Sequence, residues 1–145
     1  MKINDLINPV YLHGSSVLLP IGTILKNNPE NYQNTWGHNH FYIALEKYRP
    51  DNMISHRQAV FMADEESIDL AGGSLDYIFI VKPRGKVQKH DLNWSSEIEV
   101  LISEGLDIDS QEVKNACQKY WNGEPHHNES VWEYLCLSAE IIDIE

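Results

Sequence analysis

The chain has 145 residues, 42% apolar and 23% charged, an ordinary balance for one globular domain large enough to bury a core. Its net charge of −11 argues against holding nucleic acid by phosphate neutralisation alone, although a local basic groove stays compatible with it. No apolar run approaches the roughly 18 residues of a membrane span. The start MKINDLINPVY lacks the apolar stretch of a signal peptide, and Cys117 and Cys136 form no metal-type spacing. The expectation is a reduced, cytoplasmic protein with no metal and no membrane attachment.

In chain order, VYLHG at 10–14 is expected as a first strand, with a turn at Pro20 and Gly22 after it. The Asn-rich stretch 27–36 reads as an exposed loop. Phe41, Leu45 and Tyr48 recur at helical spacing and predict a short amphipathic helix ending before Pro50. AVFMA at 59–63 has strand character, and Asp64 is expected to cap a helix through Ile68 and Leu70 that Gly72-Gly73 would stop. DYIFIVKP at 76–83 is apolar on both faces and predicts a central strand. A turn at Pro83–Gly85 then leads into KVQKHD, expected as a more exposed strand. Trp94, Ile98, Leu101 and Ile102 fit one helix face. Asp109 with Glu112 has capping-box spacing, ahead of the apolar stripe Val113, Ala116, Cys117, Tyr120 and Trp121, which Asn122-Gly123 closes. VWEYLCL and AEIIDIE are the final strands. Strands mixed with short helices, without βαβ alternation, give an α+β class and a single domain over 1–145. Neither GxGxxG nor GxxxxGK[ST] is present, so a Rossmann or P-loop site has no support.

Glu133 is the one charge between Val131 and Ala139, on a strand face shared with Val131, Leu135 and Leu137. Such a carboxylate either reaches water at a strand end or is buried and compensated. His13-Gly14 ends the first strand, where the missing Cβ lets a ligand or another backbone come close. His13 could donate to a ligand hydroxyl or be a structural histidine. The pairs His38/His40 and His126/His127 lack a third ligand at metal spacing and read as exposed loop histidines. Both cysteines read as core.

Three segments, in order, resemble the catalytic core of the ADP-ribosyltransferases, most closely the diphtheria-toxin and poly(ADP-ribose) polymerase branch with its His–Tyr–Glu triad. YLHGSS (11–16) is similar to that branch's His-Gly strand, AVFMADEES (59–67) to its GIYFAD segment, and WEYLCL (132–137) to its NEYIVY strand. DYIFIVKPRGKV (76–87) also resembles the small rifampin ADP-ribosyltransferases. The resemblance implies a split β-sheet core with short flanking helices, and NAD as co-substrate. It implies that His13 bonds a ribose hydroxyl on the adenosine side, the Gly14 backbone holds the carboxamide, Phe61 stacks on nicotinamide, and Glu133 binds the 2′-hydroxyl of the nicotinamide ribose. Ser15, Ser67 and Tyr77 complete the expected NAD-binding set.

The sequence departs from that pattern at three places. Phe61 stands where the triad has tyrosine. The second stacking aromatic is missing where Ala71-Gly72-Gly73 stand, with Tyr77 or Tyr42 as substitutes. Val131 replaces the second glutamate of arginine-specific members. The expected activity is single ADP-ribose transfer to a macromolecule, protein or nucleic acid, as in bacterial or phage effectors of toxin–antitoxin and phage-defence systems. An inhibitory partner protein is a candidate on that reading. For a nucleic-acid acceptor, Arg49, Arg57, Lys82, Arg84, Lys86 and Lys89 are the bases to suspect. The alternatives are an antibiotic-modifying transferase and a degenerate NAD-binding domain.

Overall fold

The computed structural model describes residues 10–30, 38–71, 74–126 and 129–145. Within them the apolar runs become strands and the helical stripes become helices. These are β1 (Tyr11–Ser15), β2 (Ile24–Leu25), α1 (His40–Lys47), β3 (Val60–Ala63), β4 (Tyr77–Arg84), β5 (Gln88–Asp91), α2 (Asn93–Ser103), α3 (Gln111–Trp121), β6 (Trp132–Cys136) and β7 (Ser138–Ile144). The strands form one sheet in the order β2-β7-β4-β1-β3-β6-β5, every neighbouring pair antiparallel. The architecture is mixed helix and sheet, in keeping with the α+β class. As expected from its two apolar faces, β4 is an interior strand, between β7 and β1.

The sheet is joined unevenly. β1 runs beside β4 from Tyr11 to Ser15, and β3 beside β6 along its whole length. Between β1 and β3, Leu12 and Ala63 alone are in register. Past that pair, towards Gly14 and Phe61, the two strands have no further residues in register, and the His13 ring bonds the Phe61 carbonyl there.

Each face of the sheet has its own core. Val60, Met62, Phe79, Val81, Cys136, Ala139 and Ile141 pack together on one side. On the opposite face of β3, β6 and β5, Phe61 lies in register with Leu135, and Glu133 with His90. That face meets the helices, whose core is Ala44 and Leu45 of α1, Trp94 and Ile98 of α2, and Val113, Ala116, Cys117, Tyr120 and Trp121 of α3. Trp121 Nε1 donates to the Leu45 carbonyl at 2.8 Å and ties α3 to α1. At the end of α3, Gly123 takes φ 73°, the left-handed conformation that closes a helix and that only glycine adopts without strain.

Four local expectations are corrected. Residues 65–70 form successive turns and no helix, although Asp64 Oδ1 does accept the Ser67 N–H at 2.8 Å. The cap of α3 is Ser110, whose hydroxyl accepts the Val113 N–H, because Asp109 is engaged by Lys47 and Tyr48. β5 is not an exposed strand: Gln88, His90 and Asp91 are buried. The turn expected at Pro83–Gly85 starts later: Pro83 and Arg84 belong to β4, paired with Ala139 and Ser138 of β7, and the chain leaves the strand at Gly85. Gly72 and Gly73, most of the Asn-rich loop (31–37) and His127 lie outside the described residues.

Candidate active site

Where β1 and β3 part, a cleft of about 180 Å³ opens, lined by Leu12, His13, Gly14, Tyr42, Phe61, Met62, Ala63, Ile68, Ala71 and Glu133. Pockets that bury a drug-sized ligand hold roughly 300–1,000 Å³, so this one suits a single ring-sized group. Three neighbouring strands supply its key side chains: His13 from β1, Phe61 from β3 and Glu133 from β6. Tyr42 of α1 adds an aromatic ring from the helix layer.

Glu133 is 4% exposed and sits mid-sheet, paired with Ala63 on one side and His90 on the other. The reading of a strand-end acid reaching water is thereby excluded. The start of its strand is fastened twice: Trp132 N–H donates to Ser67 Oγ at 3.1 Å, and Val131 N–H to Asp91 Oδ1 at 3.2 Å. Tyr120 Oη lies 3.3 Å from Glu133 Oε2. Burial pushes the Glu133 carboxyl up to about 8, against a smaller opposing effect of the Tyr120 hydroxyl. At neutral pH the acid is protonated, and a cation entering the cleft would favour its ionised form.

His13 fills the seam between β1 and β3, with Nδ1 2.7 Å from the Phe61 carbonyl oxygen. A carbonyl can only accept, so Nδ1 carries the hydrogen. Burial lowers the His13 pKa against the pull of that carbonyl, and the ring is neutral. Its Nε2 is therefore an acceptor. This corrects the expectation that His13 donates to a ligand hydroxyl: it would receive the hydroxyl's hydrogen instead. At Gly14 an added Cβ would lie 2.1 Å from the Ser74 carbonyl oxygen. The close approach that needs glycine is thus made by the protein's own backbone.

The other expected NAD-binding residues are not in the cleft lining. Ser67 is buried, its hydroxyl occupied by the Trp132 N–H. Ser15 donates to the Val17 carbonyl at 2.8 Å. Tyr77 pairs with Ser15 and is 37% exposed. Of the two rings considered as a second aromatic, Tyr42 lines the cleft and Tyr77 does not.

The sequence reading missed the layer behind the cleft. His56 is fully buried, stacked near-parallel on Phe61 at 5.8 Å and edge-on to Tyr42 at 4.9 Å. His90 stacks on Tyr120 at 4.4 Å, with Nδ1 2.7 Å from the Tyr120 carbonyl oxygen. Burial lowers His56 and takes His90 down to about 4, so both rings are neutral. Single histidines in mixed sequence carry no period that marks them as buried. A usable signal was the proximity of His90 to Gln88 and Asp91, since three polar residues in one short strand would all need partners.

The remaining candidates lie elsewhere. His38 and His40 are exposed, but His40 opens α1 instead of lying in a loop. His126 is half-buried, with Nε2 3.1 Å from Glu97 Oε1, which corrects its placement on an exposed loop. Cys117 and Cys136 are buried, and burial pushes their thiols up to about 12 and about 11. Lys82, Arg84, Lys86 and Lys89 are all exposed, Lys89 lying 4.0 Å over the Trp132 ring. Among the described residues no group of three or more His, Cys, Asp or Glu could hold a metal ion. No helix among them is long and apolar enough to cross a membrane. No protein-family model matches the chain, and no curated protein aligns with it significantly.

Proposed function

We propose that the protein is an NAD-dependent mono-ADP-ribosyltransferase that cleaves the nicotinamide–ribose bond and passes ADP-ribose to a macromolecular acceptor. One observation carries this reading. Glu133, His13, Gly14 and Phe61, drawn from three short segments far apart in the chain, meet around one ring-sized cleft. The parting of the sheet between β1 and β3 is what a split-sheet core of this class would require.

In this reading the cationic nicotinamide enters between Phe61 and Tyr42, where aromatic faces favour a positive ring. The nicotinamide–ribose bond breaks with its electron pair passing to the ring nitrogen, which leaves positive charge on the ribose as an oxocarbenium ion. Glu133, as carboxylate, accepts the 2′-hydroxyl hydrogen and stabilises that charge where it develops. The acceptor's nucleophile then closes on the anomeric carbon and releases its proton. His13 Nε2 takes a ribose hydroxyl on the adenosine side. Phe61 supplies stacking without the triad hydroxyl.

The test uses NAD labelled in its adenine, incubated with the protein and a cell lysate, followed by separation of protein, nucleic acid and small molecules. Label on protein or nucleic acid is the expected outcome. Label confined to small molecules would replace the reading with a small-molecule transferase. NAD binding without any transfer would leave a non-catalytic NAD-binding domain.

A further inference from the structure

Tyr42 of the cleft and Glu46 are four residues apart on α1, so they share a helix face, and at Glu46 a second opening begins. It has a volume of about 350 Å³ and is lined by Pro29, Glu46, Arg49, Ser55, Arg57 and Gln58. His56, fully buried, lies between the two spaces. Its ring packs on Tyr42 and Phe61, and its backbone N–H donates to Glu46 Oε1 at 2.7 Å. Two of the chain's three arginines thus meet at one opening of a strongly acidic protein, and Glu46 is the one carboxylate among the lining residues.

The three charges are not equivalent. Glu46 is engaged inside the protein: besides the His56 N–H it accepts Ser55 Oγ–H at 2.9 Å and Arg49 Nε–H at 3.3 Å, both on Oε2. Arg49 is half-buried and held along one edge, where Nη1 donates to the Met53 carbonyl at 2.7 Å and to the Pro50 carbonyl at 3.3 Å. A guanidinium carries five N–H donors in a fixed plane. These bonds use three of them, and the pair on Nη2 meets no acceptor among the described residues. Arg57 is exposed, and its guanidinium makes no hydrogen bond or ion pair among the described residues. Its backbone is nonetheless fixed, because its N–H donates to Ser55 Oγ at 3.2 Å. The Gln58 N–H closes the same turn on the Ser55 carbonyl at 3.0 Å.

We propose that this opening is an anion site that takes a phosphate group beside the cleft. Guanidinium forks bind oxyanions through paired donors, and a weakly hydrated guanidinium gives up its water more readily than an ammonium. The two coplanar oxygens of a carboxylate would occupy one fork. The tetrahedral oxygens of a phosphate present acceptors to the Nη2 edge of Arg49 and to Arg57 together, with the Gln58 amide as a further donor. The charge also fits, since Glu46 offsets one arginine and leaves one positive charge for the anion. Two ligands of the proposed reaction carry this chemistry: a nucleic-acid acceptor in its phosphodiesters, and NAD in its pyrophosphate. The use of the site by a substrate rests on the transferase reading; the anion site itself does not.

The experiment is an NMR titration of the whole chain, labelled at the arginine side-chain nitrogens, with inorganic phosphate and separately with acetate at constant ionic strength. Phosphate should shift the Arg49 and Arg57 signals in one saturable step, more tightly than acetate does, and leave exposed Arg84 unmoved. Arg57→Gln removes a fork from a side chain that bonds nothing in the described protein, so the fold is kept. It should weaken phosphate binding about 10-fold or more, the scale of one charge-assisted hydrogen bond. Equal shifts at all three arginines, acetate binding as tightly as phosphate, or unchanged affinity in Arg57→Gln overturns the site. Two competitors then name the source of the phosphate. Displacement by a short single-stranded oligonucleotide assigns the site to a nucleic-acid acceptor, and displacement by NAD assigns it to the co-substrate. Displacement by neither overturns its use by a substrate of the cleft. Phosphate binding at Arg49 and Arg57 without any nicotinamide release from NAD would count against the transferase reading alone and leave the anion site standing.

Discussion

Glu133 is buried among apolar strand neighbours, and its carboxyl stays protonated up to about 8. Its folded-state pKa lies above the unfolded value of 4.5. Folding therefore retains a proton that the unfolded chain loses between those values. The associated stability is complete below about 4.5 and is lost as pH rises towards about 8. Glu133→Gln should abolish that slope, so that denaturant titrations of wild type and variant converge at low pH and diverge by several kcal/mol above pH 8, the variant being the more stable. Gly14→Ala tests the seam from the other side. The added methyl meets the Ser74 carbonyl oxygen, and the expected cost is about 1–3 kcal/mol of thermal or denaturant stability. Glu133 and the His13-Gly14 pair were legible in the sequence because a lone acid and a glycine break a strand's apolar pattern. His56 and His90 were not. Their burial depends on Tyr120, Glu46 and the Tyr120 backbone, partners 10 to 64 residues away that no local pattern points to.

The elements differ in how much of the site they determine. The turn at 64–71 is held to β6 by two side-chain bonds: Trp132 N–H donates to Ser67 Oγ, next to Glu133, and the Tyr134 hydroxyl to Asp64 Oδ2 at 3.3 Å. Ser67→Ala leaves that buried donor without a partner, which costs about 1–3 kcal/mol, and it should lower the rate of nicotinamide release along with stability. Ile98 of α2 is fully buried in the helix core and does not line the cleft. Ile98→Ala should cost about 2–5 kcal/mol in chemical denaturation while the folded fraction keeps its specific activity. α2 and α3 were legible because each carries an apolar stripe at helical period, and β4 because it is apolar on both faces. The turn at 65–70 and the cap of α3 were not. Asp64 does bond Ser67 N–H as a cap would, but Ser67 is drawn to Trp132 and the chain turns instead of winding into a helix. Asp109 is diverted by Lys47 and Tyr48, which leaves the capping to Ser110.

For the molecule as a whole, strand order was beyond the sequence. KVQKHD follows β4 in the chain yet closes the opposite half of the sheet. Its burial comes from α3, through the stacking of His90 on Tyr120. Lys82, Arg84, Lys86 and Lys89 are exposed on a chain of net charge −11. None of the four lines the cleft. Replacing all four with alanine should leave basal nicotinamide release unchanged, and loss of nucleic-acid labelling at moderate salt would assign them to acceptor binding. The measurement closest to the central claim is nicotinamide release from NAD by the wild-type protein beside Glu133→Gln, with lysate as acceptor. The proposed transferase should show lysate-stimulated release that falls roughly 10²–10³-fold in the variant, the scale of losing one electrostatic stabiliser of a transition state. Equal release by both proteins, or none by the wild type, would contradict it.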